Sequence, residues 1–412
     1  MEMTKYKLGD LCRIASSKRI FESEYVEKGV PFIRGQEISD GSILDPKASF
    51  ECYISQSRYE EIKEKYGKPT KGDILITAVG TIGNLCYLDK DIDFYFKDGN
   101  VIWFSEIISS CEGKFLFHFM KSSFFKDQLK YFMIGAVQKA LTIDMLKKVE
   151  VPLPPLSDQK KIASVLSALD DKIALNKKMN QKLEAMAKRL YDYWFVQFDF
   201  PDKNGLPYKT TGGKMEYNPT LKREIPVGWE DGVLSDIANI TMGQSPDGAS
   251  YNEDGEGMIF YQGSTDFGMR FPTVRQYTTA PTRFAKKGDI LMSVRAPVGA
   301  VNIANTDCCI GRGLSALNSK LGSLSHLYFL IDVFKKTFEN KNTVGTTFGS
   351  ITKDELYALP VVIPDKSVIE QFEKMAKPIF DRQMKLGEES NRLTKLRDKL
   401  LPLLMNGQVV VD

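Results

Sequence analysis

Histidine and paired cysteine are scarce in this sequence. Its 412 residues include two histidines and six cysteines. No two cysteines have the Cys-x-x-Cys spacing, and Cys308 directly precedes Cys309. Zinc sites and catalytic triads depend on these residue types, so we expect no metal centre and little support for a catalytic triad. The cysteine spacing also argues against a disulfide framework and suits a reducing cytoplasm.

Long apolar runs are missing as well. No run reaches the ~18 residues of a membrane span, and residues 1–17 show no hydrophobic core of a signal peptide. We therefore expect a cytoplasmic protein without a membrane partner. The formal net charge is only +3. Because this excludes a large uniform basic surface, any contact with nucleic acid must rest on local clusters of residues.

Motifs of catalysis and cofactor binding are incomplete. The best Walker A candidate, at 213–214, has Tyr208 where the first glycine belongs, and no Gly-x-Gly-x-x-Gly follows a strand. The Asn-Pro-Pro motif of amino-methyltransferases fails at the third position of 218–220. A nuclease pattern that starts at 246–247 finds no acid-x-Lys before 339–341. These gaps favour a binding protein that is not an enzyme and binds no cofactor itself.

The sequence contains one long internal repeat. Four pairs of stretches correspond: 31–35 with 259–263, 71–76 with 287–292, 141–146 with 351–356, and 151–154 with 361–364. The two histidines, His118 and His326, lie in corresponding aromatic segments. A repeat of this length exceeds the unit of a solenoid. It indicates a duplicated domain followed by a duplicated helix.

The globular part of each copy predicts a mixed α/β domain with a curved, mostly antiparallel sheet. Apolar runs at 74–79 and 290–294 follow Lys-Gly-Asp turns and are typical of strands, whereas 115–132 and 324–338 are typical of helices. The whole chain is thus of the α/β (α+β) class. Its expected order is a first domain at 1–152, a long helix at 153–200, a linker at 201–226, a second domain at 227–363 and a second long helix at 364–412.

The stretch 153–201 predicts the first long helix. Ser157 and Asp158 are N-cap candidates, and neither glycine nor proline follows before Pro201. A helix over 157–195 is about 58 Å long at ~1.5 Å per residue. Heptad spacing predicts that the two long helices pair. The apolar contact positions are Ile162, Leu169, Ile173, Leu183, Leu190 and Trp194 in the first helix, and Phe372, Ile379, Leu386, Leu393 and Leu400 in the second.

Both helices are polar at their centres. Asn176 and Asn180 interrupt the first apolar seam, and Arg382 and Glu389 interrupt the second. Because the polar centres match, we expect the two helices to pair with these centres facing each other. Asparagine at such a position can fix the register of the pair. The alternatives are a water-filled or partner-covered gap, and helices that each pack only on their own domain. We also expect Pro378 to kink or restart the second helix.

Polar residues that recur at repeat positions are candidates for contacts with DNA. Arginine, glutamine, serine and threonine read base edges and bind phosphates, although a single surface arginine is more often simply solvated. Arg34 becomes Gln262 in the second copy, and Gln36 becomes Ser264, as expected of two domains that read different sequences. The full set is Arg34, Gln36, Thr77, Thr81, Gln138, Lys139, Gln262, Ser264, Arg270, Arg275, Arg283, Ser293, Arg295, Arg312 and Thr347.

Three stretches carry a family resemblance. Residues 153–201 resemble the central conserved region of the specificity subunit of type I restriction–modification systems, and 396–411 resemble its distal conserved region. Residues 288–304 are similar to a common core of its target-recognition domains. The resemblance extends over the chain in the family's order of domain, helix, domain and helix.

The resemblance implies a function and a set of partners. Each domain would read one half of a split site in double-stranded DNA, and an antiparallel, coiled-coil-like helix pair would set the spacer. At roughly 3.4 Å per base pair, a ~58 Å helix spans about 17 base pairs as an upper limit. The helical regions would dock two methyltransferase (M) subunits, which bring S-adenosylmethionine. ATP- and magnesium-dependent restriction (R) subunits would join the assembly.

Two other hypotheses remain. One is a DNA methyltransferase or nuclease with degenerate motifs, which would act on DNA without any other subunit. The other is a coiled-coil scaffold whose domains bind protein instead of DNA. Site-selective binding of DNA by the complex with its methyltransferase would exclude the scaffold.

Overall fold

A computed structural model describes residues 3–45, 48–133, 140–268, 270–343 and 349–411. The chain forms two compact units. The first consists of Met1–Ile173 together with Arg392–Asp412, and the second is Ala174–Asn391. The first unit therefore combines residues from both ends of the sequence.

The first unit contains ten short strands, six short α-helices and two 3₁₀ helices, at Glu22–Glu24 and Ser42–Leu44, among its described residues. The strands are β1 Thr4–Lys7, β2 Arg13–Ser16, β3 Tyr25–Val26, β4 Val30–Ile33, β5 Tyr53–Ile54, β6 Ile74–Thr77, β7 Leu85–Tyr87, β8 Tyr95–Phe96, β9 Val101–Ser105 and β10 Glu150–Leu153. The helices are α1 Leu8–Leu11, α2 Gly35–Ser39, α3 Gln56–Tyr66, α4 Gly113–Lys121, α5 Ser123–Met133 and α6 Ile143–Lys147.

Two four-stranded sheets and one strand pair make up the β-structure that the described residues of this unit form. One sheet has the order β2-β9-β6-β7 and is antiparallel throughout, and the other has the order β3-β5-β4-β8 with β4 and β8 parallel. Strands β1 and β10 pair separately. Strands β6 and β9 are buried along their whole length, because both faces of the first sheet carry apolar neighbours.

The second unit has the same kind of elements. Helix α7, Leu156–Tyr191, begins in the first unit and ends in the second. The strands that follow are β11 Met215–Asn218, β12 Arg223–Pro226, β13 Glu230–Val233, β14 Ala238–Met242, β15 Tyr251–Asn252, β16 Met258–Tyr261, β17 Gln276–Thr278, β18 Phe284–Ala285, β19 Ile290–Ser293, β20 Val301–Ile303, β21 Cys308–Ile310, β22 Leu314–Ser319 and β23 Pro360–Ile363. The helices are α8 Leu234–Ile237, α9 Leu324–Thr343, α10 Lys353–Tyr357 and α11 Lys366–Met405.

The sheet topology confirms the internal repeat. The order β14-β22-β19-β20 repeats β2-β9-β6-β7, and β13 pairs with β23 as β1 pairs with β10. The other sheet, β15-β17-β16-β21-β18, repeats the single parallel contact, here between β16 and β21. Each unit thus holds two main sheets where one curved sheet was expected. Strands of two to six residues carry too little alternation to show which partner they choose.

Helix α7 confirms the predicted long helix. It is α-helical over Leu156–Tyr191 and ends in a π-helical turn at Asp192–Val196. The stretch 201–226 that follows was expected to be a linker, yet it contains the β11–β12 hairpin. Its Tyr208 ring stacks on Phe200, with 4.7 Å between ring centroids. Its composition indicates turns, but the apolar surface on which those turns pack comes from the second unit.

In the first unit, the start of α7 and the end of α11 run antiparallel. The Arg397 guanidinium lies 2.8 Å from the Asp170 carboxylate, and the Lys161 amine donates to the Val411 carbonyl at 3.2 Å. Positions earlier in α7 therefore meet positions later in α11. Ile162 and Leu404 are both buried in the main core of this unit.

In the second unit, the remaining parts of the two helices also run antiparallel. Asn176 donates to Glu389 at 2.9 Å, and Gln383 donates to the main-chain carbonyl of Asn180 at 3.3 Å. The predicted polar centres Asn176 and Glu389 therefore do face each other. Arg382, which the sequence also placed at the centre of α11, is exposed, and the neighbouring Gln383 is buried in its place. At the apolar end the rings of Trp194 and Phe372 lie 5.7 Å apart.

The predicted contact positions all lie away from solvent. Seven are buried (Ile162, Asn176, Asn180, Trp194, Phe372, Ile379 and Leu386), and six are half-buried (Leu169, Ile173, Leu183, Leu190, Leu393 and Leu400). Helix α11 is unbroken at Pro378, so the expected restart there is wrong. Buried residues on either side, Ala376 and Ile379, hold the helix in place, since tertiary packing can offset the one hydrogen bond that proline removes.

The two buried histidines predict how stability depends on pH. Burial lowers the pKa of His326 to about 3, and burial, followed by the charge of Lys121, lowers the pKa of His118 to about 4. An unfolded histidine titrates near ~6.5, so below that pH the unfolded chain binds protons that the folded chain does not. We expect stability to be lost as the pH falls from about 6.5 towards the folded pKa values.

Thermal unfolding of the wild type and of His326→Leu across this pH range tests the expectation. The leucine variant should show a shallower decline in Tm with falling pH, because one of the two histidines is gone. Parallel curves for the two proteins would show that His326 does not contribute.

Candidate nucleic-acid interface

Four loops of the second unit converge at one edge, which we name the second-unit edge. It consists of 243–245, 262–264, 294–295 and 311–313. Main-chain hydrogen bonds join these segments: Gly311 to the Tyr261 carbonyl at 2.8 Å, Gly313 to Gln262 at 3.2 Å, and Val294 to Gly313 at 2.9 Å. The edge is therefore held by the backbone, which leaves its side chains available to a ligand.

Two glycines of this edge allow the segments to approach closely. A Cβ atom at Gly243 would lie 2.2 Å from the Gly311 carbonyl oxygen, and one at Gly313 would lie 2.6 Å from that of Gln262. No side chain fits either position without moving backbone. The Gly-x-Gly at 311–313 thus serves loop packing and is not part of a dinucleotide motif.

The side chains on this edge are polar and carry unpaired positive charge. Gln262, Arg295 and Arg312 are exposed, and Arg283 is exposed next to β21. Within the part of the chain that the structure describes, no acidic group lies within ion-pairing distance of these three arginines. Exposed guanidinium groups with no internal partner are suited to phosphates and to guanine edges.

An equivalent first-unit edge consists of 16–17, 33–36, 77–79 and 97–100. Its backbone contacts repeat those of the second unit: Lys97 donates to the Ile33 carbonyl at 2.8 Å, and Ala78 donates to Asn100 at 2.7 Å. The residue that follows Ala78 is Val79, which occupies the place of Arg295. Repetition of this loop arrangement indicates that both units present the same kind of surface.

The first-unit edge differs in its charges. The Arg34 guanidinium lies 2.5 Å from Glu51 and 3.5 Å from Glu37, and the hydrogen bond that Arg34 donates to Glu51 raises the pKa of Arg34. Arg19 pairs with Asp98 at 3.0 Å. Gln36 and Thr81 are exposed. Because its arginines are already paired, this edge offers mainly neutral polar groups and the half-buried Lys97.

Two predicted contact residues act inside their units. Thr77 and Ser293 are each only 1% exposed. The Thr77 hydroxyl bonds the Thr81 carbonyl at 2.5 Å and accepts from Asn84 at 3.0 Å, and Ser293 makes the same pair of bonds within its own loop. They shape the turns that carry Val79 and Arg295, so their hydroxyls are not free to contact DNA.

The other candidates fall into three groups. Arg270 is only 4% exposed and points into the second unit, because aromatic rings and helix residues enclose it. Arg275 is exposed but pairs with Asp266 at 2.9 Å, and Ser264 is half-buried. The predicted contacts Gln138, Lys139 and Thr347 lie outside the described residues.

Sequence reasoning missed three polar residues on these edges. Lys97 and Asn100 come from the first-unit edge, and the Ser245 hydroxyl accepts from the Arg312 amide at 3.2 Å in the second. Little in the sequence indicated these residues, because 97–100 has no sequence similarity to 311–313 and the two loops differ in length. Only the hydrogen bonds reveal that these loops correspond.

Neither a group of metal ligands nor a membrane-spanning helix occurs in the described part of the chain. Its histidine, cysteine, aspartate and glutamate side chains form no group of three that could hold a metal ion. None of its helices is long and apolar enough to cross a membrane. All six cysteines are free thiols, and five of them are buried.

Relatives of the chain match it over nearly its whole length. A protein of Methanocaldococcus jannaschii named as the MjaX specificity subunit of a type I restriction enzyme is 31% identical over 395 residues, which cover 93% of this chain and 88% of the relative. The MjaIX specificity subunit of the same organism is 27% identical, with 99% of this chain and 97% of the relative covered.

A solved structure shares the fold. The crystal structure of a type I restriction-modification system S subunit from M. genitalium matches with a TM-score of 0.59 at 14% identity, over 98% of this chain and 96% of that chain. The family model of the type I restriction modification DNA specificity domain matches residues 1–185 and 226–398. The two matched segments correspond to the two repeated halves. This chain therefore belongs to the family of type I restriction–modification specificity subunits.

Proposed function

We propose that each of the two loop edges reads one half of a split DNA site. The duplicated edge, which repeats its backbone contacts in both units while its exposed side chains change, carries this proposal. Arg34 gives way to Gln262 and Val79 to Arg295. A shared scaffold with different reading groups is what recognition of two unlike half-sites requires.

The chain supplies recognition and no chemistry of its own in this proposal. Its motif gaps support this view, and two methyltransferase subunits would bring S-adenosylmethionine to the DNA. Restriction subunits that use ATP and magnesium would join the same assembly. All of these steps would take place in the cytoplasm. The alternatives, a scaffold that binds protein and a degenerate methyltransferase or nuclease, leave the duplicated edge unexplained.

Exposed apolar groups on the long helices support docking of the methyltransferase subunits. A groove in the second unit is lined by Leu190, Tyr193 and Pro378, together with Met186 and Met375. Both methionines are more than half exposed. Methionine adapts its shape to partner helices, and apolar surface of this kind usually marks a site of protein contact.

Sequencing of modified bases tests the proposed function directly. The chain is expressed with the methyltransferase subunit of its own system in a host that lacks type I systems, and modified adenine is mapped across the genome. We expect a motif of two short defined halves around a fixed unspecified spacer. The methyltransferase expressed without this chain is the matched control and should leave no such motif.

Two outcomes would contradict the proposal. An assembled complex that adds no new methylation would favour the protein-binding scaffold. Modification or cleavage of DNA by the purified chain without other subunits would favour the degenerate enzyme.

A further inference from the structure

A buried arginine connects the second recognition domain to the helix pair. The Arg270 guanidinium lies 4.5 Å from the ring centroids of both Tyr328 and Phe380, and these two rings pack edge to face 5.5 Å apart. Two π-systems thus adjoin the cation and attract it. The side chain is only 3% exposed, so Arg270 cannot contact DNA in this arrangement.

The same guanidinium reaches both long helices. Its Nη2 atom donates to the Gln383 side chain of α11 and lies 3.1 Å from the Glu184 carboxylate of α7. Gln383 in turn donates to Glu184 at 2.8 Å. One cation therefore fixes the side chains of two helices relative to each other and to the domain that carries it.

Phe271, next to Arg270, packs closely against Gly387 of α11. A Cβ atom at Gly387 would lie 2.4 Å from the Phe271 ring, and Phe271 is only 5% exposed. Glycine is unfavourable inside a helix, and at Gly387 the close approach of Phe271 accounts for it. Gly268, Arg270 and Phe271 form what we name the anchor loop.

The anchor loop is also tied firmly to its own sheet. The Asn302 side chain both accepts from and donates to the backbone of Gly268, at 3.2 and 2.9 Å. The Ile303 amide donates to the Arg270 carbonyl at 2.9 Å. Ile303 belongs to β20, which pairs with β19, and Arg295 lies just beyond the end of β19. A short rigid path thus leads from the helix pair to the second-unit edge.

The burial of Arg270 is not explained by a gain in folding stability. Among the described residues, no acceptor bonds the Arg270 Nε or Nη1 atoms, and unmatched buried donors are costly. Apolar replacements of a buried ion pair are often neutral or stabilising. The arrangement does, however, restrict the domain to one orientation, since the planar guanidinium must meet two rings and two helices together.

We infer that Arg270, held by Glu184 and Gln383, is a positioning residue that sets how strictly the complex selects its spacer length. The inference rests on the proposed function. Arg270 holds the second-unit edge in a fixed direction on the helix pair, so the second half-site is accepted at one distance only. Without the anchor the domain tilts, and spacers that are longer or shorter by one base pair become acceptable.

The first unit has a weaker counterpart. Lys121 of its domain lies 2.8 Å from Asp170 of α7, and Arg397 of α11 lies 2.8 Å from the same carboxylate. Asp170 and Glu184 lie seven residues on either side of Lys177. The Lys121 side chain is 32% exposed, whereas that of Arg270 is 3% exposed. Water can replace the lysine contact, so Lys121 should position its domain less strictly.

The test measures methylation by the complex of the full chain with its methyltransferase. DNA substrates carry both half-sites with the native spacer or with one base pair more or fewer. The preference for the native spacer should fall by about tenfold in Arg270→Met, whereas binding to the second half-site alone stays unchanged. Glu184→Gln, at a position that is 37% exposed, should act in the same direction without a risk to folding. Arg270→Lys should restore part of the preference.

Lys121→Met is the matched control, and its spacer preference should stay close to that of the wild type. Folded complexes of Arg270→Met and Glu184→Gln that keep the wild-type preference would overturn the inference, as would an equal effect of Lys121→Met. A wild-type complex that recognises no split site would instead contradict the proposed function, so the two failures are distinguishable.

Discussion

Adding one helical turn at the polar centre of both long helices should lengthen the unspecified spacer by about two base pairs. The additions are made between Asn176 and Asn180 in α7, and between Gln383 and Glu389 in α11. One turn of about four residues adds ~6 Å at 1.5 Å per residue, and base pairs follow at ~3.4 Å. Methylation at the original spacer should be lost.

Both helices need the addition because their contacts are matched. Asn176 meets Glu389 and Gln383 meets the Asn180 carbonyl, so an addition to only one helix would shift every later contact. Asn176 is only 1% exposed, and a buried polar group without its partner is costly. The paired addition keeps both polar ends of the insertion matched.

Mapping of modified adenine in cells that express the variant complex measures the new spacer. The control places the same four-residue sequence in the exposed turn at Asn204, which lies in the second unit but outside the helix pair. That variant should keep the original spacer. A folded, active complex with the paired helix addition and an unchanged spacer would refute the idea that the helix pair sets the distance.

Replacing Arg295 by alanine should weaken recognition of the second half-site and leave the first intact. Arg295 is exposed on the second-unit edge and follows β19, whose buried Ser293 fixes the turn that presents it. An arginine contact with a base edge is worth ~1–3 kcal/mol. This corresponds to a loss of roughly 5- to 150-fold in discrimination.

Competition binding with DNA substituted in one half-site at a time separates the two domains. The chain provides a matched control in Val79→Ala, because Val79 occupies the repeat position of Arg295 in the first unit. It should change discrimination little at either half-site, since valine offers no hydrogen bond. Equal losses at both half-sites in Arg295→Ala would contradict the assignment of one edge to each half-site.

The order of domains and long helices could be predicted from particular stretches of the sequence. The Lys-Gly-Asp repeat at 71–73 and 287–289 indicated a duplicated domain, and each copy precedes a corresponding strand of the same sheet order. The heptad spacing of 153–201 indicated the long helix, because apolar periodicity is a local property of the chain. The polar centres at Asn176 and Glu389 predicted the pairing, because each would be costly to bury without a polar partner.

The site was harder to predict, because exposure depends on what surrounds a side chain. Arg270 and Arg295 are both arginines near predicted strands, and no local pattern distinguishes them. The structure buries the first against Tyr328 and Phe380 and leaves the second in solvent. Thr77 likewise belongs to a polar segment, yet its hydroxyl closes a turn inside the domain.

Sequence by itself determined the duplication, the two long helices, their polar centres and the family. These features are set by periodicity, repeats and turn residues that lie close together in the chain. Only the tertiary structure decided which polar groups face solvent, which loops form each edge, and that an arginine of the second domain clamps both helices. Burial and charge pairing arise from residues far apart in sequence, such as Glu184, Arg270 and Gln383, and no local pattern specifies them.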